Sequence, residues 1–108
     1  MKNDYKIVIG MVLYNPPESV LKRIDLILNL GFKLYVFDNT PHLNFLDQDN
    51  YNPEELIYFH EKINLGLGYP LKRLSQEAYA RGEDLLLYFD QDTIFSEKTL
   101  NYISNYLD

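Results

Sequence analysis

Three largely apolar runs, each broken off by an amide or an acid, dictate most of what this chain can become. Ile7 to Leu13 reads Ile-Val-Ile-Gly-Met-Val-Leu, with charge before it and Asn15-Pro16-Pro17 after it. With no polar alternation, it is a strand buried on both faces, as in a parallel sheet. Phe32 to Phe37 is a second such run and stops at Asp38-Asn39-Thr40-Pro41. Leu85 to Phe89, Leu-Leu-Leu-Tyr-Phe, is the most apolar and runs straight into Asp90-Gln91-Asp92. Between them, Glu18 to Leu30 sets Val20, Leu21, Ile24, Ile27 and Leu28 at helical spacing, opened by prolines that a first turn tolerates and closed by Gly31. Gly66 to Arg81 repeats the pattern with Leu67, Leu71, Leu74 and Ala78, and Gly82 is its stop. Leu56 to His60 supplies a further short strand after the polar, turn-rich stretch from Pro41 to Glu55. Ser96 is the expected N-cap of a last helix through Leu100, Ile103 and Leu107. Strand, helix, strand within about thirty residues is the crossover unit of an α/β sheet. The expected fold class is therefore α/β, a Rossmann-like, mostly parallel sheet flanked by helices.

At 108 residues, residues 1–108 form one domain, with 46% apolar and 24% charged residues, enough to bury a core. The formal charge of -6 disfavours partners whose affinity depends on neutralising many phosphates, so no nucleic-acid partner is expected. The chain has no cysteine, which excludes disulfides, thiolate catalysis and cysteine zinc sites. His42 and His60 alone cannot complete a structural zinc site. The Met1 to Lys6 stretch leads into only a short apolar run without a cleavage site, and no segment reaches about 18 apolar residues. A soluble, cytoplasmic domain is expected, the inner face of a membrane included.

In open α/β sheets ligands gather beyond the carboxyl ends of the strands. Those ends carry Tyr14 and Asn15, Asp38 and Asn39, and Asp90 and Asp92. Neither G-x-G-x-x-G nor G-x-x-x-x-G-K-[ST] is present, which disfavours a dinucleotide dehydrogenase or a P-loop kinase. What remains is a pair of carboxylates one residue apart at a strand end, suited to a hard divalent cation that takes its other ligands from phosphate and water. The same tripeptide at Asp47-Gln48-Asp49 follows no strand and reads as an exposed loop.

Four segments resemble, in order and spacing, the motifs of family 2 glycosyltransferases across about residues 5–95. They are Val12-Leu13-Tyr14-Asn15-Pro16, Val36-Phe37-Asp38-Asn39-Thr40, Asn64-Leu65-Gly66-Leu67-Gly68 and Leu87-Tyr88-Phe89-Asp90-Gln91-Asp92-Thr93. The likeness is closest to bacterial rhamnosyltransferases. The resemblance implies a GT-A fold whose first half holds a nucleotide diphosphate sugar, a dTDP- or UDP-sugar with rhamnose as the candidate sugar, for transfer to a glycan or lipid-linked acceptor in surface polysaccharide synthesis. It implies that Tyr14 and Asn15 border the nucleotide, Asp38 contacts the base, and Asn64 and Gly66 line the nucleotide pocket. It places Asp90 near the ribose and sugar and makes Asp92 the ligand of Mg²⁺ or Mn²⁺. In such enzymes a second half follows with the acceptor site and catalytic base. Here the chain ends at Asp108, no residue is nominated as the base, and the surface left bare favours self-association. Pro70, Lys72 and Phe95 depart from the rhamnosyltransferase pattern.

Plainer readings stand beside these. Asn15 could cap the following helix, Asp38 to Pro41 could be an Asx turn, Gly66 and Gly68 could serve only a tight helix entry, and His60 could be packed. Lys72 and Arg73 could draw a diphosphate or simply be solvated. The rival functions are a non-catalytic nucleotide-binding or interaction domain and a receiver-like signalling domain. The latter expects an acidic pair after the first strand, where Tyr14-Asn15-Pro16 has none.

Overall fold

The computed structural model describes residues 6–94 and 96–106. Met1 to Tyr5, Phe95, Leu107 and Asp108 lie outside them, so the readings made there have no structural counterpart. The elements in order are β1 (Ile7–Leu13), α1 (Ser19–Asn29), β2 (Lys33–Asp38), a single 3₁₀ turn (Gln48–Asn50), β3 (Leu56–His60), α2 (Gly68–Ala80), β4 (Leu85–Tyr88) and α3 (Glu97–Tyr106). The four strands form one sheet in the order β3-β2-β1-β4, and every neighbouring pair is parallel. The fold is α/β and Rossmann-like, as the apolar runs predict.

Helix ends follow from local chemistry. Gly31 and Gly82 adopt positive φ (89° and 75°), where a side chain would be strained. Each closes its helix with a paired return: Phe32 N–H donates to Ile27 O and Gly31 N–H to Leu28 O, and Glu83 N–H donates to Ala78 O and Gly82 N–H to Tyr79 O. Ser96 Oγ accepts the Thr99 N–H at 3.2 Å, the expected cap of α3.

The period-2 alternation of the strands sorts the core into two layers. Ile9, Met11 and Leu13 of β1 join Leu34, Val36, Leu56 and Tyr58 against Val20, Ile24 and Ile27 of α1 and Leu100 of α3. On the other face Val8, Val12, Tyr35 and Phe37 pack on Leu74 and Ala78 of α2. β1 is buried along nearly its whole length. β4, the most apolar run, lies at the sheet edge and all four of its residues are only half-buried.

After β3 the chain crosses β2 and β1 to lay β4 on the far side, so the strand order reverses between β1 and β4. The ladder between them ends at Gly10 opposite Tyr88, while β1 continues against β2 as far as Leu13 opposite Asp38. A crevice therefore opens at the carboxyl ends of β1 and β4, the place where sheets of this type take ligands.

Gly10 sets how closely α2 approaches the sheet. A Cβ there would lie 3.0 Å from Leu86 Cδ1 and 3.4 Å from Leu74 Cδ1, both ends of flexible side chains. Gly10→Ala should shift stability by less than about 1 kcal/mol, because relief of strand-glycine entropy offsets the crowding. Gly10→Leu should cost about 1–3 kcal/mol through overpacking. Urea denaturation of the two variants checks both values.

Candidate functional site

The residues nominated from sequence all sit at the carboxyl edge of the sheet, but their side chains play different parts. Asp38 is fully buried. Its Oδ1 accepts the Thr40 N–H at 2.9 Å, an Asx turn, and its Oδ2 accepts the Phe45 N–H at 3.2 Å and the Tyr58 hydroxyl. A carboxylate out of water is tolerated when donors surround it, and here two amides and a phenol do so. Burial, then the hydrogen bond to Asp38, then its charge all push the Tyr58 hydroxyl pKa well up, so the phenol stays a donor. The carboxylate is committed to holding the start of the β2–β3 connection.

The two residues after Asp38 reach outward. Asn39 Nδ2 donates to Gly66 O at 2.7 Å and its Oδ1 accepts the Leu65 N–H at 3.2 Å. Asn64 Oδ1 accepts the Gly66 N–H at 2.9 Å, and Gly66 has φ +76°, so this loop turns tightly before α2. Thr40 Oγ1 accepts the Asn15 N–H at 2.9 Å. Asn15 sits at φ +41° and α1 has no side-chain cap, so Asn15 turns the chain instead of capping the helix. His60 is held between Asn44 Oδ1 and Thr40 O, the latter at 2.6 Å. A cavity of about 370 Å³ lies alongside, lined by Asn15, Pro16, Thr40, Leu43 and Phe45 among others.

Across the crevice, Asp90 and Asp92 are exposed on a turn closed by Thr93 N–H to Asp90 O at 2.9 Å. The Tyr88 hydroxyl donates to Asp90; burial first, then that bond and the carboxylate's charge, push its pKa up to about 12. Gln91 points the other way. Its Oε1 accepts the Tyr14 N–H at 2.7 Å and its Nε2 donates to Tyr14 O at 3.1 Å. Arg23 of α1 donates to Gln91 O. Tyr14, with a half-exposed ring, is thereby joined to the turn that carries both acids.

The edge thus divides into two clusters. Asp38, Asn39, Thr40, Asn15 and Asn64 to Gly66 form one network, and Tyr14, Gln91, Asp90 and Asp92 form the other. Thr40, Arg23 and Gln91 escaped the nomination because their partners are main-chain groups distant in sequence; only their place inside the four motif segments, for Thr40 and Gln91, could have singled them out. Arg73 stacks over the Phe59 ring at 4.5 Å and pairs with Glu77 at 3.4 Å, whereas Lys72 is exposed. Asp47 Oδ1 caps the 3₁₀ turn by accepting the Asp49 N–H, in keeping with a loop role for that tripeptide. Among the described residues no three His, Asp or Glu side chains are grouped as a metal site. No described helix is long and apolar enough to cross a membrane.

No protein-family model matches the chain, and neither the curated proteins nor the solved structures yield a match.

Two consequences can be measured. Tyr58→Phe removes a hydrogen bond to a buried carboxylate and should cost about 1.5–3 kcal/mol in chemical denaturation. Tyr88 holds its proton more tightly in the folded chain than in the unfolded one, whose tyrosines titrate near 10. Its contribution is complete below about pH 10 and is lost as the pH climbs towards about 12, because there the unfolded state binds fewer protons. The fall in stability over that window, followed by urea denaturation, should be shallower in Tyr88→Phe.

Proposed function

We propose that this chain is the nucleotide-diphosphosugar-binding half of a family 2 glycosyltransferase of GT-A type, with the acceptor, a glycan or lipid-linked sugar, engaged outside these residues. The supporting observation is the exposed Asp90 and Asp92 pair on a short turn beside the exit of β1, where the strand order reverses. Two carboxylates are the donor set that Mg²⁺ or Mn²⁺ takes from a protein when diphosphate and water complete its shell. The cation would offset charge on the departing diphosphate. Tyr14, beside the acids, offers a half-exposed ring to a nucleotide, and Asn15 and Asn64 border the same edge. Asp38 could reach a base only if the 40–45 segment opened, since its oxygens are already bonded within the fold. In this reading Asp38 organises the pocket and base contact falls to its neighbours.

That commitment of Asp38 favours one second reading, a non-catalytic nucleotide-binding or interaction module in which the motif acids serve the fold. Titration calorimetry of dTDP and UDP, each with and without Mn²⁺, separates the two. The donor-binding reading expects metal-dependent binding that Asp92→Ala weakens about tenfold or more, as loss of a ligand from a sparse site should. Absence of binding to both nucleotides in the presence of Mn²⁺ would leave the interaction module as the better account.

A further inference from the structure

The β1–β4 crevice is bridged by a side chain acting as a strand. Beyond Tyr88 the main chains of β1 and β4 part, and the last bond between them is Phe89 N–H to Gly10 O at 2.9 Å. Four residues beyond Gly10, just past the end of β1, the Gln91 amide offers one acceptor and one donor to the Tyr14 main chain, the complement that a neighbouring strand would have offered. It is an extra rung made of a side chain. Arg23 then fastens the same residue through its carbonyl. Gln91 is the second residue of the turn closed between Asp90 and Thr93, and Asp90 and Asp92 are its immediate neighbours. Fixing both ends of Gln91 therefore fixes the orientation of the peptide units that carry both acids.

We propose that Gln91, backed by Arg23, is a positioning residue that holds the Asp90–Asp92 turn over the exit of β1 so that both carboxylates address one divalent cation. The proposal rests on the donor-binding reading for its ligand, while the clamp itself is independent of it. A glutamine between two acids reads as a third solvated polar residue, yet Gln91 is half-buried while both neighbours are exposed. Among the described residues its side chain bonds the two main-chain polar atoms of Tyr14. Residues that orient metal ligands without touching the metal commonly govern affinity.

The test compares wild type with Gln91→Ala, Gln91→Met and Gln91→Glu, using the full chain and three readouts. The first is amide hydrogen exchange at Tyr14, which should accelerate about tenfold or more in Gln91→Ala and Gln91→Met through loss of the bond to Oε1. Gln91→Glu keeps that acceptor and should retain most of the protection. The second is the ¹⁵N heteronuclear NOE of residues 90–93, which should fall in Gln91→Ala with the far-UV spectrum unchanged. The third is calorimetry with Mn²⁺ and UDP or dTDP, in which Gln91→Ala should bind about tenfold to a hundredfold more weakly, the range for residues that support metal ligands. Unchanged Tyr14 exchange or unchanged NOE values in Gln91→Ala would overturn the clamp. Loosening of the turn without loss of metal-dependent binding would overturn its positioning role. If the wild type itself fails to bind in calorimetry, the donor-binding reading and the cation role fall together, while the exchange and NOE measurements still decide whether Gln91 sets the turn.

Discussion

A single buried carboxylate organises the carboxyl edge of this sheet. Asp38 ends β2 with no contact with solvent, and a charge in that position persists only because donors converge on it. The Thr40 and Phe45 amides and the Tyr58 hydroxyl supply them, and each comes from a different part of the β2–β3 region. Phe45 N–H also reaches the Tyr58 oxygen, so strand, loop and neighbouring strand meet at one point. The 17-residue link implied between Asp38 and Leu56 contains no α-helix to cover the sheet, and this knot is what gives it a fixed start.

From that anchor the order spreads by side chains that bond main-chain groups of other loops. Asn39 secures Leu65 and Gly66, Thr40 secures Asn15, and Gln91 secures Tyr14. Each bond contributes modestly, about 0.5–1.5 kcal/mol when neutral, and the larger effect is geometric. Loops that would otherwise sample many conformations are held in one, which lowers the entropy that a ligand must remove on binding. The edge is a set of short tethers on a rigid sheet.

Much of the framework was readable in the amino-acid order because burial leaves a periodic trace. The bounds of β1 and β3 coincide with the apolar runs, and Gly31, Gly82 and Ser96 mark helix ends by the chemistry that makes them. The place of β4 was not readable: it is the most apolar run yet lies at the sheet edge, since a run of four apolar residues carries no information about its neighbours. The site was legible in location and not in orientation. Asp38 and Asp90 both follow apolar runs and look alike in sequence, but one turns into the core and the other to solvent, according to whether Tyr58 and the Phe45 amide lie within reach. Asn15 was open to a capping role because Asn favours that position, and the turn at φ +41° took it elsewhere.

The placement of β4 also bears on how the chain is assembled as it leaves the ribosome. β1 pairs with β2 and β2 with β3 inside the first 60 residues, so three strands can order early. The other edge of β1 waits for β4, where Ile7 meets Leu85, 78 residues further along the chain. Until then the most deeply buried strand has one side of its ladder open, and contacts of such long sequence separation form slowly. α2 packs on Val8 and Val12, so β1 is sealed on that face also by residues distant in sequence. A β1 lacking β4 therefore presents an apolar strand with one ladder edge unpaired, the kind of edge that another chain can extend.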